Sequence, residues 1–392
     1  MIRTERNHID LLTFLAVLTL IVLSLGVVYS ASATYAQHRL GGSESMLGRH
    51  ALKVLIGLVA MFIFMHVDYR KYRKLTKPVL LGTIVLLAVT LALGGEVKGA
   101  TRWLLVKGIS VQPSEFAKFA LIFHLALLLS LKMDRVRDFR TGYLPMVVWI
   151  GAVTVLVLLQ PNLSTGAMII AISVVMLFVG RVRFRHMALT FAALIPLLAL
   201  FTLSAEYRMR RIMAYVGGPA DGDAKSNYQL LQGIIGFGNG GLFGLGPGAS
   251  RQREGFLPES YGDFVFSIVG EEYGLIGTLF IVGLFLVILL RGMKIARHAR
   301  DDFGRFLAVG ITSSITMYGL INAGVSLGIL PTTGLPMPFV SYGGTSMIVS
   351  CIAIGVLLNI SSQTDLHPRL VQAPEGVRPM EPVAPPAVGS VY

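Results

Sequence analysis

The chain has 392 residues, of which 54% are apolar and 14% charged, and its mean hydropathy is +0.69. Soluble domains carry about 25% charged residues, so this balance excludes a soluble globular enzyme, a disordered chain and a fibrous protein. The single cysteine, Cys351, excludes an intramolecular disulfide and a cysteine-based zinc site, and the net charge of +13 reads as basic loops orienting a membrane protein rather than as a nucleic-acid surface.

A spanning helix needs about 20 mainly apolar residues. Ten stretches qualify: 11–30, 51–67, 77–94, 114–132, 142–160, 163–180, 187–204, 264–290, 305–330 and 341–361. Their runs are continuous rather than alternating, which excludes a membrane β-barrel. The first, with Ala31-Ser32-Ala33 behind it, looks like a signal peptide. Its apolar run from Leu11 to Val28 exceeds the usual length of about 7–15 residues, so a retained helix is expected. Basic residues gather in alternate loops: Arg70, Lys71, Arg73 and Lys74; Lys132, Arg135 and Arg137; Arg181, Arg183 and Arg185; Arg291, Lys294 and Arg297. This places both termini in the cytoplasm. The expected fold is an all-α polytopic membrane protein of about ten transmembrane helices. Residues 1–361 form the membrane domain, 205–262 a large extracytoplasmic loop between helices seven and eight, and 362–392 a disordered, proline-rich cytoplasmic tail.

Polar groups in or beside spans are costly and need a partner or a task. Four clusters stand out, and all map to the outer half. The first is KGATRWLLVKGISVQPSEFAK, residues 98–118. Arg102 and Trp103 suit lipid headgroups at the interface, and Glu115 and Lys118 share a helix face and can pair. The second is Gln160-Pro161-Asn162-Leu163-Ser164-Thr165, a tight polar turn. The third is the long loop, with Arg208, Arg210 and Arg211, then GFGNGGLFGLGPG and LPESYGDF. Its G-x-G-x-x-G match is rejected as a nucleotide site because no strand precedes it in a βαβ unit. Its glycines let backbone approach a ligand or another loop. Asp263 stands at the mouth of span eight, either as a general base or metal ligand or as an acid meeting the helix dipole. The deeper Glu271 and Glu272 need a partner in the bundle, with Lys118 a candidate. The fourth is PTTGLPMPFVSYGGTS, residues 331–346, a rigid re-entrant-like loop that could gate, pack or touch substrate. No histidine cluster suggests a metal.

In this order, RW, QPSE-x-x-K, QPNLST, GGLFGLGPG, LPES-x-x-DF and PFVSYGGTS resemble the SEDS family (shape, elongation, division and sporulation) over residues 10–361. The YSASA stretch and the length favour the division branch. The resemblance implies a ten-span peptidoglycan glycosyltransferase of the bacterial cytoplasmic membrane, working at the septum. It would polymerise lipid II into β-1,4 glycan on the outer face, with the undecaprenyl-pyrophosphate-linked glycan as donor. The alternatives are a lipid II flippase and a non-catalytic division scaffold. The catalytic aspartate maps onto Asp263, although Tyr261-Gly262-Asp263-Phe264 departs from the usual His-Thr-Asp-Phe. Asn162 replaces the usual aspartate of its motif, so no base or metal role goes to it. Candidates for substrate and pyrophosphate contact are Arg102, Trp103, Glu115, Lys118, Arg208, Arg211, Ser341 and Tyr342; Gln160, Glu271 and Glu272 are structural polar groups of the bundle. A divalent cation, magnesium or manganese, is allowed at Asp263, with no organic cofactor. The implied partners are a class B penicillin-binding protein and other division proteins, and no nucleic acid.

Overall fold

The computed structural model describes residues 8–40, 43–97, 100–106, 109–133, 135–190, 192, 196, 209, 224–257, 260–364 and 366. Ten helices of these residues are numbered here in chain order. They are α1 (Leu11–Leu40), α2 (Ser43–His66), α3 (Thr76–Leu93), α4 (Pro113–Leu131) and α5 (Leu144–Leu159), followed by α6 (Leu163–Val179), α7 (Ala224–Gly240), α8 (Val265–Arg297), α9 (Asp302–Ser326) and α10 (Gly344–Ser362). Nine of the ten apolar stretches coincide with α1–α6 and α8–α10. Of the stretch 187–204, residues 187–190 are helical and almost all of the remainder lies outside the described residues. Eight helices (α1–α5 and α8–α10) are long and apolar enough to cross a membrane, and α6 is apolar but shorter. The protein is therefore a multi-pass membrane protein. In hydrocarbon a spanning backbone must pair its own polar groups, and a helix does so within one segment.

α4, α9 and α10 form the buried centre. Leu52, Leu55, Val85, Val148 and Leu279, on the surrounding helices, are exposed and suit a lipid boundary. Three features depart from the sequence expectations. First, the fold is not wholly helical. Residues between α3 and α4 form a small antiparallel sheet, β1 (Gly95–Val97), β2 (Ala100–Val106) and β3 (Ile109–Val111), in that order. Its Val97, Thr101, Val106, Ile109 and Val111 are strand formers in a segment too short to span. Second, part of the long loop is the helix α7. Third, the tail boundary falls late, because Ser362, Gln363 and Thr364 are still buried.

One end of the bundle is fastened by ion pairs. Buried Asp10 accepts from the Thr13 N–H at 2.9 Å and from the Arg291 guanidinium (Nε at 3.0 Å), while its own N–H donates to Ser361 Oγ. Asp301 caps α9 through the Gly304 N–H at 2.7 Å and accepts from Tyr69 Oη at 2.8 Å, Arg70 and Arg73. Burial opposes its ionisation, but the Gly304 N–H, the Tyr69 hydroxyl and the two arginines outweigh it and hold the carboxyl below its ordinary value.

α8 is broken at Gly274 (φ 64°, ψ −161°). The break frees backbone groups, and the glycine-rich segment 241–246 pairs them. Leu245 and Gly246 N–H donate to the Glu271 and Glu272 carbonyls at 2.9 and 3.0 Å, and Leu275 and Ile276 N–H donate to the Gly241 and Leu242 carbonyls at 2.9 and 3.2 Å. Gly244, at φ +83°, lies so close that a Cβ would collide with the Glu272 carbonyl. The sequence is glycine-rich here because backbone meets backbone. Gly244→Ala should cost about 2–4 kcal/mol from strain and collision and lower the melting temperature in detergent. Gly238→Ala, with open space around its Cβ, should leave the melting temperature unchanged or slightly raised.

Candidate functional site

The four polar clusters meet at the other end of the bundle. Asp263 is half-buried immediately before α8, with Phe264 buried behind it. Two neighbours fix its backbone. Asn322, fully buried in α9, donates through Nδ2 to the Asp263 carbonyl at 2.7 Å and to the Leu335 carbonyl at 2.8 Å. Ser341 Oγ donates to the Gly262 carbonyl at 2.8 Å and accepts from the Met337 N–H at 2.8 Å. The Tyr342 N–H donates to the Tyr261 carbonyl at 2.9 Å, and the two rings meet edge to face at 5.8 Å. A Cβ on Gly334 would stand 3.3 Å from Asp263 Oδ2, so the carboxylate lies against the loop 331–343. That loop holds Phe339 at φ 64°, a strained value for a bulky residue.

The remaining clusters join through backbone. The Gln112 N–H donates to Thr345 Oγ1 at 3.1 Å, tying the start of α4 to the start of α10. Arg102 donates to the Gln160 carbonyl at 3.3 Å and to the Pro161 carbonyl, tying β2 to the α5–α6 turn. Buried Gln160 donates to the Leu87 carbonyl of α3 at 2.9 Å. Asn162 caps α6 by accepting from the Thr165 N–H at 3.4 Å. Trp103 is half-buried and pairs in register with Gly95.

The geometry separates the remaining candidates. Lys118 donates to Glu115 at 2.9 Å with both side chains almost fully buried, and its ammonium lies 3.8 Å from the Tyr318 ring centroid. The sequence reading offered Lys118 as partner to Glu271 and Glu272, and the structure corrects this. Glu271 instead accepts from the Asn239 side chain at 3.1 Å, the Gln252 N–H at 3.1 Å and Ser250 Oγ, and Glu272 accepts from Ser30 Oγ. Both acids anchor the glycine-rich segment and α1 against α8. Arg208 and Arg211 lie outside the described residues. Asn322 and Lys53 went unnamed in the sequence reading, although each is a polar residue inside an apolar span. Among the described residues, no group of three His, Cys, Asp or Glu is placed to hold a metal. A cation at Asp263 would take a single carboxylate there and complete its shell from water and substrate phosphates, a mode that suits magnesium.

A family model covering FtsW, RodA and SpoVE, described as a cell cycle protein, matches residues 10–366. This chain belongs to that family. It is 38% identical to a probable peptidoglycan glycosyltransferase FtsW of Geobacter metallireducens over 92% of this chain and 96% of the relative. It is 40% identical to the stage V sporulation protein E of Bacillus subtilis over 91% and 98%. Among solved structures, one reported as structural coordination of polymerization and crosslinking by a peptidoglycan synthase complex matches at TM-score 0.74 and 26% identity, covering 90% of this chain and 97% of that one. The rod shape determining protein RodA of Thermus thermophilus matches at TM-score 0.67 and 25% identity, covering 90% and 96%.

Asn322→Leu removes the side-chain donor to the Asp263 and Leu335 carbonyls, at about 1–3 kcal/mol each. The expected outcome is a melting temperature several degrees below wild type in detergent. An unchanged value would show that the amide does not hold the two segments.

Proposed function

We propose that this chain is a peptidoglycan glycosyltransferase that polymerises lipid II on the outer face of the bacterial cytoplasmic membrane, with Asp263 as its general base. The observation that carries the reading is a half-buried carboxylate at a helix mouth, its backbone held from two sides by Asn322 and Ser341. Family membership and the relatives' names support the activity.

In this reading the acceptor's GlcNAc 4-hydroxyl lies against Asp263. The carboxylate takes its proton as the oxygen attacks the anomeric carbon of the lipid-linked glycan. The bond from that carbon to the diphosphate breaks, and attack from the opposite face inverts an α-linked donor to a β-1,4 product. The leaving diphosphate needs positive charge. Arg102, Arg208 and Arg211 are the proposed sources. Lys118 would first exchange its Glu115 partner, and Trp103 would lie along the lipid headgroups. A divalent cation bound at Asp263 would neutralise phosphate charge.

The opposite end of the bundle is fastened by the Asp10–Arg291 and Asp301–Arg70 pairs, while the polar clusters gather around Asp263, which favours chemistry on one face over a polar path for a flippase. Basic loops at that end support cytoplasmic termini. A class B penicillin-binding protein as partner and a septal location complete the proposal; the peptidoglycan synthase complex among the structural neighbours supports the first.

Asp263→Asn should lower polymerisation by about 10²–10⁴-fold, the usual worth of a general base, with expression and melting temperature kept. Glycan chains made from lipid II by the full chain with its cognate transpeptidase are the readout. An Asn variant with the wild-type rate would contradict the assignment.

A further inference from the structure

Lys53 is the third residue of the second apolar stretch, 51–67, and lies inside α2 (Ser43–His66), half-buried. A charge at that depth is costly unless something neutralises it. Among the described residues no carboxylate pairs with it. Its ammonium instead lies 4.1 Å from the centroid of the Tyr342 ring. That ring also packs 5.6 Å from His50, one turn away on the same helix, and edge to face on Tyr261, two residues before Asp263. The lysine therefore faces the candidate site.

A second element converges on the same place. α10 begins at Gly344 with Gly343 as its cap, and no side chain caps it. A Cβ on Gly344 would stand 3.2 Å from Lys53 Cε and 3.5 Å from its Nζ, so the ammonium overlies the first residue of the helix. Ser346, in the first turn, is 8% exposed, and its hydroxyl has no partner among the described residues. Helical side chains tilt toward the N-terminus, which directs this hydroxyl to the same end. Buried His50 likewise has an unpartnered Nδ1. A free ammonium, an uncapped helix start and a spare hydroxyl together make a cradle for a phosphate oxygen.

We propose that Lys53 and the start of α10 bind a phosphate of a lipid-linked diphosphate beside the Asp263 segment. This rests on the glycosyltransferase reading for the identity of the ligand. The shared chemistry is a phosphate on a membrane lipid, which a bulk anionic phospholipid also carries. The site therefore has two sources to tell apart.

The test uses the full chain in phosphatidylcholine nanodiscs, titrated with undecaprenyl diphosphate and, in a parallel arm, reconstituted with increasing phosphatidylglycerol. Lys53→Met should weaken undecaprenyl diphosphate binding about tenfold or more, as loss of a charge-assisted contact does. Lys53→Arg should stay within about threefold of wild type because it keeps the charge. Ser346→Ala should weaken binding about two- to fivefold. All three should melt as wild type does. With the transpeptidase partner and lipid II, Lys53→Met should raise KM more than it lowers kcat, whereas Asp263→Asn should chiefly lose turnover. Binding in Lys53→Met equal to wild type would overturn the proposal, as would Lys53-dependent binding confined to phosphatidylglycerol. A wild-type complex that binds undecaprenyl diphosphate through Lys53 but makes no glycan would sink the polymerase reading and leave the phosphate site standing.

Discussion

Inside a bilayer an unpaired backbone group has no water to turn to. Two non-helical segments near the site, 241–246 and 331–343, are each held by an answer to that constraint. Gly274 breaks α8 and frees carbonyls and N–H groups, and the segment 241–246 pairs with them as a second backbone. The loop 331–343 leaves helical geometry before α10, and the single amide of Asn322 joins it to the Asp263 segment. A carboxylate on an ordinary surface loop would move with that loop. Here the backbone that carries Asp263 is held by Asn322 and Ser341.

The same logic explains the polar side chains that frame the site. Glu271 collects three donors, one from α7 and two from the turn after the glycine-rich segment. Arg102 donates to carbonyls of the α5–α6 turn that would otherwise lack partners. These groups set the outline of the site around Asp263, the tyrosine pair and Lys53. At the far end the Asp10 and Asp301 networks fasten α1, α2, α8, α9 and α10 together, so that end serves as a base.

Apolar run length alone made nine of the helices legible, and the motif order pointed to Asp263, Ser341 and Tyr342. What was not legible has physical reasons. A search for runs of about 20 apolar residues passes over a seven-residue strand, so the sheet before α4 was missed. Partners of Glu271 and Glu272 could not be read from their depth, because which element crosses them depends on the break at Gly274. Gly274 looks like any other glycine in an apolar span. Asn322 and Lys53 were visible as isolated polar residues in apolar runs. Their weight became clear only when Asn322 was found between two carbonyls and Lys53 over Tyr342.

The central claim is that this arrangement presents Asp263 to the acceptor sugar. The most direct measurement is a structure of the Asp263→Asn variant with its transpeptidase partner and bound lipid II in nanodiscs. The account predicts the acceptor 4-hydroxyl within about 3 Å of the side chain at position 263, hydrogen-bond reach for a base. Lipid II bound with that hydroxyl far from position 263, or with its sugars away from the loop 331–343, would contradict it.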